Sequence, residues 1–219
     1  MMHSLGTLTS RERIKSAARQ ELNDSGILGL RMEVVAEKAQ VSVPLIYKYY
    51  KNREGLLTEV LSELYDGDSY AKLAAYVEVF EQMESPTIDD IAIMFATVQQ
   101  GFRTVSRWKR LQILAASAEI PELRARLAAI HLDQQQQVVD FLQVAIRAVA
   151  SKYPGMTEES ISTAVNLATP LASLIMTQSF GSVLDDLVDY EDREAAAEDV
   201  KVLLRLIINA VLTAGHKSP

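Results

Sequence analysis

The sequence predicts an all-α fold, and three observations support that prediction. Apolar residues recur at spacings of three and four along nearly all of the 219 residues, which is the period of a helix with one buried face. No alternation of apolar and polar residues lasts long enough to indicate a β-strand. Glycine and proline, which interrupt helices, number only nine and six. We expect a small N-terminal helical domain over residues 1–52 and a larger helical domain over residues 53–219.

The first helix is predicted to begin at Thr9. Thr9 and Glu12 have the spacing of a capping box, in which the two residues satisfy each other's free amide groups. Ile14, Ala17, Ala18 and Leu22 fall on one face, which is expected to be buried. Gly26 suits the left-handed backbone that ends many helices.

Two short helices are predicted next, separated by a tight turn. The first runs from about Met32 to Lys38. The second starts at Ser42, whose hydroxyl can cap it, and Pro44 lies in its first turn, where a missing amide proton costs little. Two helices joined by a tight turn, with Lys and Tyr exposed on the second, fit the major groove of DNA. We therefore predict a helix-turn-helix DNA-binding domain with residues 43–50 as the recognition helix.

The side chains of this motif divide by the DNA contacts that they can make. Val43, Pro44 and Leu45 can touch thymine methyl groups but cannot form bidentate hydrogen bonds to bases. The basic and tyrosine side chains suit phosphate contacts, which position a protein without specifying sequence. The predicted DNA-binding set is Arg31, Ser42, Val43, Pro44, Leu45, Tyr47, Lys48, Tyr49, Lys51 and Arg53.

The distribution of charge agrees with this prediction. The whole chain has a net charge of −7, which is unexpected for a DNA-binding protein. Residues 1–53, however, contain nine basic and five acidic residues and have a net charge of +4, whereas the remainder has a net charge of −11. A basic end on an acidic body is expected when only one part of a protein meets phosphate.

The rest of the chain is predicted to be helical as well. A helix from about Arg53 toward Asp66 is followed by one over 70–83, and Thr87 with Asp90 repeats the capping-box spacing. A long helix is expected from Pro121 to about residue 152. Thr157 is expected to cap an uncharged helix, and a last helix covers about 196–213.

The uncharged stretch from Ile161 to Leu184 has two interpretations. Its 24 residues are long enough to span a bilayer. However, nine of them are Ser, Thr, Asn or Gln, and Pro170 lies among them. We favour a helix buried within a helical protein, with no membrane partner.

The sequence from Ala36 to Leu57, AEKAQVSVPLIYKYYKNREGLL, resembles the N-terminal domain of TetR-family transcriptional regulators. That family typically shows A-G-V-S, two variable residues, T-L-Y-x-Y-F, two further residues and K-E-x-L. The resemblance covers about residues 9–65. Four departures stand out: Gln40 replaces the usual turn glycine, Leu45 a common Thr, Tyr50 a common Phe, and Leu30-Arg31 a Thr-rich helix start. They leave the predicted fold intact and alter the expected base contacts.

The resemblance implies a homodimer that places one helix-turn-helix per subunit in successive major grooves of a near-palindromic operator. It also implies a helical C-terminal domain that binds an effector and dimerises through its last two helices. In this sequence the last helix is apolar on more than one side, which fits a subunit interface or a central core helix. The candidate dimerisation residues are Leu171, Ile175, Leu204, Ile208 and Val211.

A pocket for a largely apolar small molecule is expected among the middle helices. The candidate lining residues are Met94, Phe95, Phe102, Trp108, Phe141, Asn166, Met176 and Phe180. The alternative for each large apolar residue is simple core packing, since Met and aromatic residues at helical spacing usually fill space.

Three functions follow from these observations. The leading one is a DNA-binding repressor that a small molecule releases from its operator. A helical small-molecule or protein-binding module without DNA binding is the alternative, although the basic N-terminal part argues against it. A helical enzyme is the third, but the sequence shows no paired carboxylates, metal ligands or nucleophile constellation, and no enzymatic activity is expected.

Overall fold

The computed structural model describes residues 8–67, 71–101 and 107–181, together with residues 202, 205, 206, 209, 210 and 213. Every regular element in these residues is a helix, which confirms the predicted all-α fold. The helices are α1 (Ser10–Gly29), α2 (Met32–Ala39), α3 (Val43–Tyr50), α4 (Arg53–Asp66), α5 (Ala71–Gln82), α6 (Ile88–Gly101), α7 (Arg107–Ala116), α8 (Pro121–Ala150), α9 (Glu158–Asn166) and α10 (Ala168–Gly181).

The chain forms two compact units. The first comprises Met1–Asp66 and Lys109–Ala129, and the second comprises Gly67–Trp108 and Ile130–Pro219. The first unit extends past the boundary predicted at residue 52, because α4 packs against α1 and α3. Arg110 in α7 also belongs to this unit. It donates a 2.7 Å hydrogen bond to the carbonyl oxygen of Tyr65, and its guanidinium lies 5.0 Å from the centre of the Tyr65 ring.

The predicted start of α1 is confirmed, whereas Gly26, predicted to end the helix, breaks it internally and α1 continues to Gly29. The Thr9 hydroxyl accepts a hydrogen bond from the Glu12 amide at 3.3 Å, and the Glu12 carboxylate accepts one from the Thr9 amide at 2.7 Å. At Gly26 the backbone leaves the helix with φ 71° and ψ 178°, a combination that essentially only glycine adopts. A Cβ atom there would meet nothing within 4 Å, so glycine is required by the backbone conformation alone.

The first unit has a continuous apolar core. Ile14 of α1, Val35 of α2, Ile46 of α3 and Leu56 of α4 are all fully buried. Because each helix contributes to the same core, the orientation of α3 is set by its neighbours. This leaves the opposite face of α3 toward solvent.

The second unit is built around α8, α9 and α10. Phe80 and Phe141 meet edge to face with ring centres 5.7 Å apart, and Ile161, Ala168 and Ala172 belong to the same buried cluster. By length and composition alone, the helical stretch Glu158–Thr177 is a candidate membrane span, and half of it is buried inside the structure. This packing favours the interpretation of the uncharged stretch as a core segment.

Other local predictions are also confirmed. The Thr87 amide donates to the Asp90 carboxylate at 2.8 Å, and the Asp90 amide donates to the Thr87 hydroxyl at 3.3 Å, so a second capping box starts α6. Thr157 caps α9 by accepting a 3.2 Å hydrogen bond from the Ser160 amide. The six described residues near the C-terminus are helical.

Candidate nucleic-acid interface

The turn between α2 and α3 is held by two backbone hydrogen bonds. The Gln40 amide donates to the carbonyl of Glu37 at 3.1 Å, and the Val41 amide donates to the carbonyl of Ala36 at 3.0 Å. This is the Schellman pattern, which requires a left-handed residue. Gln40 has φ 54° and ψ 49°, so a residue with a side chain adopts the conformation at a cost of roughly 1 kcal/mol. Gln40 therefore adopts the left-handed conformation that glycine would adopt without strain.

The recognition helix α3 is anchored by two inward side chains one turn apart. Ile46 is fully buried, and Tyr50 is 5% exposed. The Tyr50 hydroxyl donates to the Arg11 carbonyl at 3.4 Å, and the Arg11 guanidinium lies 5.7 Å from the centre of the Tyr50 ring. The side chains of Pro44, Tyr47, Lys48 and Tyr49 are exposed as a result. The predicted recognition helix is thus present with Tyr47 and Lys48 at the surface.

The end of α3 contains a second strained residue. Lys51 has φ 64° and ψ −52°, and the Asn52 amide donates to the Tyr50 carbonyl at 2.7 Å, closing a rare three-residue turn. The Asn52 side chain then caps α4 by accepting a 2.7 Å hydrogen bond from the Gly55 amide. A Cβ atom on Gly55 would lie 2.1 Å from the Tyr50 carbonyl oxygen. This close approach fixes α3 against α4, and the sequence interpretation missed it.

Most basic residues of α1 are paired with acids of α4. Arg11 binds Glu59 at 2.5 Å, and Lys15 and Arg19 both bind Glu63 at 2.7 Å. These side chains hold two helices together and are not free to meet phosphate.

A further pair joins α1 to α2. Lys38 lies 2.8 Å from the carboxylate of Glu21 and 2.7 Å from that of Asp24. The hydrogen bond from Lys38 holds the pKa of the Glu21 carboxyl below its usual range, and the hydrogen bond to Asp24 raises the pKa of Lys38. Glu21 is 2% exposed, so it is a buried carboxylate that needs this partner.

Arg53 requires a correction. We predicted a phosphate contact, but its guanidinium donates to the carbonyl oxygens of Ile27, Leu28 and Leu30 at 2.6, 3.2 and 3.0 Å. Those carbonyls follow the break at Gly26 and lack helical partners. Arg53 therefore ties the α1–α2 connection to the first turn of α4.

Ser42 also differs from the prediction. It occupies the N-cap position of α3, but its hydroxyl makes no capping hydrogen bond. Its carbonyl oxygen accepts from the amides of Leu45 and Ile46 instead. The exposed hydroxyl remains a candidate for contact with DNA.

The remaining cations of the predicted set face solvent. Within the described residues, Lys48 and Lys51 are exposed and have no ion-pair partner. Arg31 keeps 68% of its side chain exposed and lies 3.9 Å from the Glu21 carboxylate. These three side chains, with Tyr47 and Tyr49, form one basic and aromatic surface on the helix-turn-helix, which we call the α3 surface.

The predicted pocket residues have mixed positions. Met94, Phe141 and Met176 belong to one buried cluster in the second unit, and Asn166 is exposed on α9. Phe95, Trp108 and Phe180 lie in described helices, but the structure does not describe their side chains. Phe102 lies outside the described residues.

Two predicted dimerisation residues are corrected. Leu171 and Ile175 are 4% and 7% exposed and contribute to the core of their own chain, so they have little surface left for a partner. Leu204, Ile208 and Val211 lie outside the described residues. The exposed apolar residues nearby are Leu174, Val202 and Leu206, at 51%, 45% and 63%.

Comparisons with known proteins support the interpretation of the N-terminal unit. A sequence model of the bacterial regulatory proteins of the tetR family matches residues 14–60. A Bacillus subtilis strain 168 protein named "probable HTH-type transcriptional regulator YttP" is 23% identical over 116 residues, which is 53% of this chain. The match spans 56% of that relative's length.

Solved structures of similar fold align with most of the length of this chain. Salmonella enterica GusR aligns with a TM-score of 0.52 and 16% identity, covering 96% of this chain and 100% of that chain. EbrR, described as a multidrug binding protein complexed with imidazole, aligns with a TM-score of 0.56 and 19% identity over 90% of this chain and 95% of that one. The helix-turn-helix lies inside the matched segment, so residues 14–60 of this chain are similar to the bacterial regulatory proteins of the tetR family.

Proposed function

We propose that the protein is a DNA-binding transcriptional regulator that places α3 in the major groove of an operator. The observation that carries this proposal is the α3 surface, where Lys48 and Lys51 have no ion-pair partner among the described residues. In the same unit, Arg11, Lys15 and Arg19 are bound to α4. Unpaired cations beside exposed tyrosines suit phosphate contacts on both sides of a groove.

The DNA contacts are tested by the salt dependence of binding. Each phosphate contact that is lost should flatten the plot of log affinity against log salt by about one unit. Lys48→Ala should therefore flatten the slope by about two units in a dimer and weaken binding to all duplexes. Lys152→Ala, which removes an exposed lysine from the second unit, is the matched control. A protein that fails to bind any duplex would favour a binding module without DNA binding.

A homodimer is the second part of the proposal. Two α3 helices spaced about 34 Å apart reach successive major grooves, so a dimer reads a near-palindromic site. Val202, Leu206 and Ala210 are exposed at helical spacing, and Leu174 is exposed on α10. We assign the interface to these residues in place of Leu171 and Ile175.

The interface is tested with two matched substitutions. Leu206→Glu should convert the dimer to monomers, because a charge buried in an apolar contact costs several kcal/mol. Leu132→Glu alters a leucine of α8 that is 64% exposed, close to the 63% of Leu206, and should leave the dimer intact. Light scattering measures both. A folded, dimeric Leu206→Glu protein would remove this face from the interface.

The third part of the proposal is repression that a largely apolar effector relieves. The second unit offers the buried cluster containing Met94, Phe141 and Met176, and EbrR, which has this fold, is named a multidrug binding protein. An effector must favour a state that binds operator less well, and a coupling of roughly 1–3 kcal/mol gives a useful switch. Candidate compounds are titrated against a fluorescent operator complex. A compound that binds and leaves operator affinity unchanged is not the effector.

A further inference from the structure

The first turn of the recognition helix is poor in hydrogen-bonding groups. Its side chains are Val43 and Leu45, both half-buried, and Pro44, which is exposed. Pro44 has no amide proton, and the Leu45 amide is already bound to the Ser42 carbonyl at 3.0 Å. Apart from the Ser42 hydroxyl and the Val43 amide, this end of α3 therefore offers apolar surface to a base edge.

The position of this apolar turn is set by the buried side of the helix. Ile46 and Tyr50 point into the core, and Pro44 lies two residues before Ile46, on the opposite side of a helix with 3.6 residues per turn. Lys48 is one turn further along that side. Lys48 and Lys51 of the α3 surface thus lie beyond the first turn, as do Tyr47 and Tyr49.

A base edge in the major groove carries one apolar group, the 5-methyl group of thymine. Guanine, adenine and cytosine lack this methyl group, and their hydrogen-bonding groups would lose water without gaining a partner against the side chains of Val43, Pro44 and Leu45. An apolar first turn consequently favours thymine over the other three bases.

We infer that residues 43–45 read thymine methyl groups, so that each operator half-site carries thymine where the first turn of α3 meets the groove. This inference rests on the proposed function and specifies the class of sequence that it acts on. Phosphate contacts from Lys48 and Lys51 hold the helix in place, and the methyl contacts choose the sequence.

The experiment begins with duplexes selected from a random library by the full-length protein. Each thymine of the selected site is then replaced singly by deoxyuridine, which removes the methyl group and leaves base pairing unchanged. At the positions facing the first turn, affinity should fall about fourfold per methyl, the equivalent of one buried CH₂ group. The unmodified protein is used here, so the result does not depend on the folding of a variant.

Variants then assign the contact to named residues. In Val43→Ala, Pro44→Ala or Leu45→Ala the deoxyuridine penalty should shrink to less than twofold at the position that the altered residue contacts. Val34→Ala is the matched control, since Val34 is a half-buried valine of α2, and there the penalty should persist.

Three outcomes would overturn the inference. Specific binding with no deoxyuridine penalty rejects methyl readout, and a penalty that persists in Val43→Ala, Pro44→Ala and Leu45→Ala rejects readout by residues 43–45; either result leaves the proposed function standing. Loss of affinity on replacing guanine by 7-deazaguanine at the first-turn positions would assign the readout to hydrogen bonds instead. Failure to select any duplex would overturn the proposed function and the inference together.

Discussion

The supporting helices α1 and α4 use their polar groups differently from the segment between Gln40 and Asn52. In the supporting helices, Arg11, Lys15 and Arg19 are paired with carboxylates, the cap at Thr9 is complete, and the backbone break falls on a glycine. In the segment from Gln40 to Asn52, Lys48 and Lys51 have no ion-pair partner among the described residues, the Ser42 hydroxyl makes no capping hydrogen bond, and Gln40 and Lys51 have positive φ. Exposed cations without an ion pair and strained backbone thus occur together where a ligand is proposed to bind.

The same comparison shows how far the net charge of a segment indicates contacts with DNA. The first 53 residues have a net charge of +4, but charge alone does not separate cations that hold the fold from those left for a partner. Arg53 and Lys51 are two residues apart and belong to different classes. Arg53 is bound to three carbonyls, whereas Lys51 has no ion pair among the described residues.

The largest effect is expected from Arg53→Ala. The substitution leaves the carbonyls of Ile27, Leu28 and Leu30 without their charged donor, so the free energy of unfolding should fall by roughly 3 kcal/mol. Lys51→Ala is the control and should change it by less than about 0.5 kcal/mol. Urea denaturation measures both. If Arg53→Ala were as stable as the wild type and flattened the salt slope of DNA binding, Arg53 would belong with the phosphate contacts after all.

A smaller effect is expected from Glu21→Gln, because Lys38 keeps Asp24 as a partner. Lys38 lowers the pKa of Glu21 in the folded protein, so the carboxylate stabilises the fold above the unfolded carboxyl pKa of about 4.3. That contribution is lost as the pH falls through the lowered pKa of the folded state. The stability gap between wild type and Glu21→Gln should therefore be present at neutral pH and close as the solution becomes acidic.

The matched control for this pH dependence is Glu33→Gln, which changes an exposed glutamate of α2. Its denaturation curve should follow that of the wild type at every pH. A Glu21→Gln gap that stays constant from neutral to acidic pH would mean that the ion pair with Lys38 does not stabilise the fold.

Sequence patterns predicted those features that depend on residues close together in the chain. The capping pairs Thr9 with Glu12 and Thr87 with Asp90 span three residues each, and both are confirmed. The acceptors of Arg53 lie 23 to 26 residues earlier, and no local pattern indicates them. The Gly55 approach to Tyr50 likewise depends on the angle between two helices.

The sequence also did not predict which face of α10 is buried. Along α10 apolar residues lie on several sides, so spacing alone does not distinguish the core face from an exposed one. The structure buries Leu171 and Ile175 and exposes Leu174. The core of the second unit decides between these faces, and that core is built from residues far apart in the chain.

The smallest effect tests whether the strain in the turn is local. Gln40 is left-handed at φ 54°, and glycine adopts this conformation without the steric cost of a side chain. Gln40→Gly should raise the free energy of unfolding by about 1 kcal/mol through the relief of strain. The greater conformational freedom of glycine in the unfolded chain reduces this gain.

Gly26→Ala is the reverse control. Its position has open space but a backbone conformation reserved for glycine, so stability should fall by a comparable or larger amount. Thermal denaturation of both variants measures the pair. A loss of stability in Gln40→Gly would show that the glutamine side chain supports the turn, and the strain assigned to this segment would then be confined to Lys51.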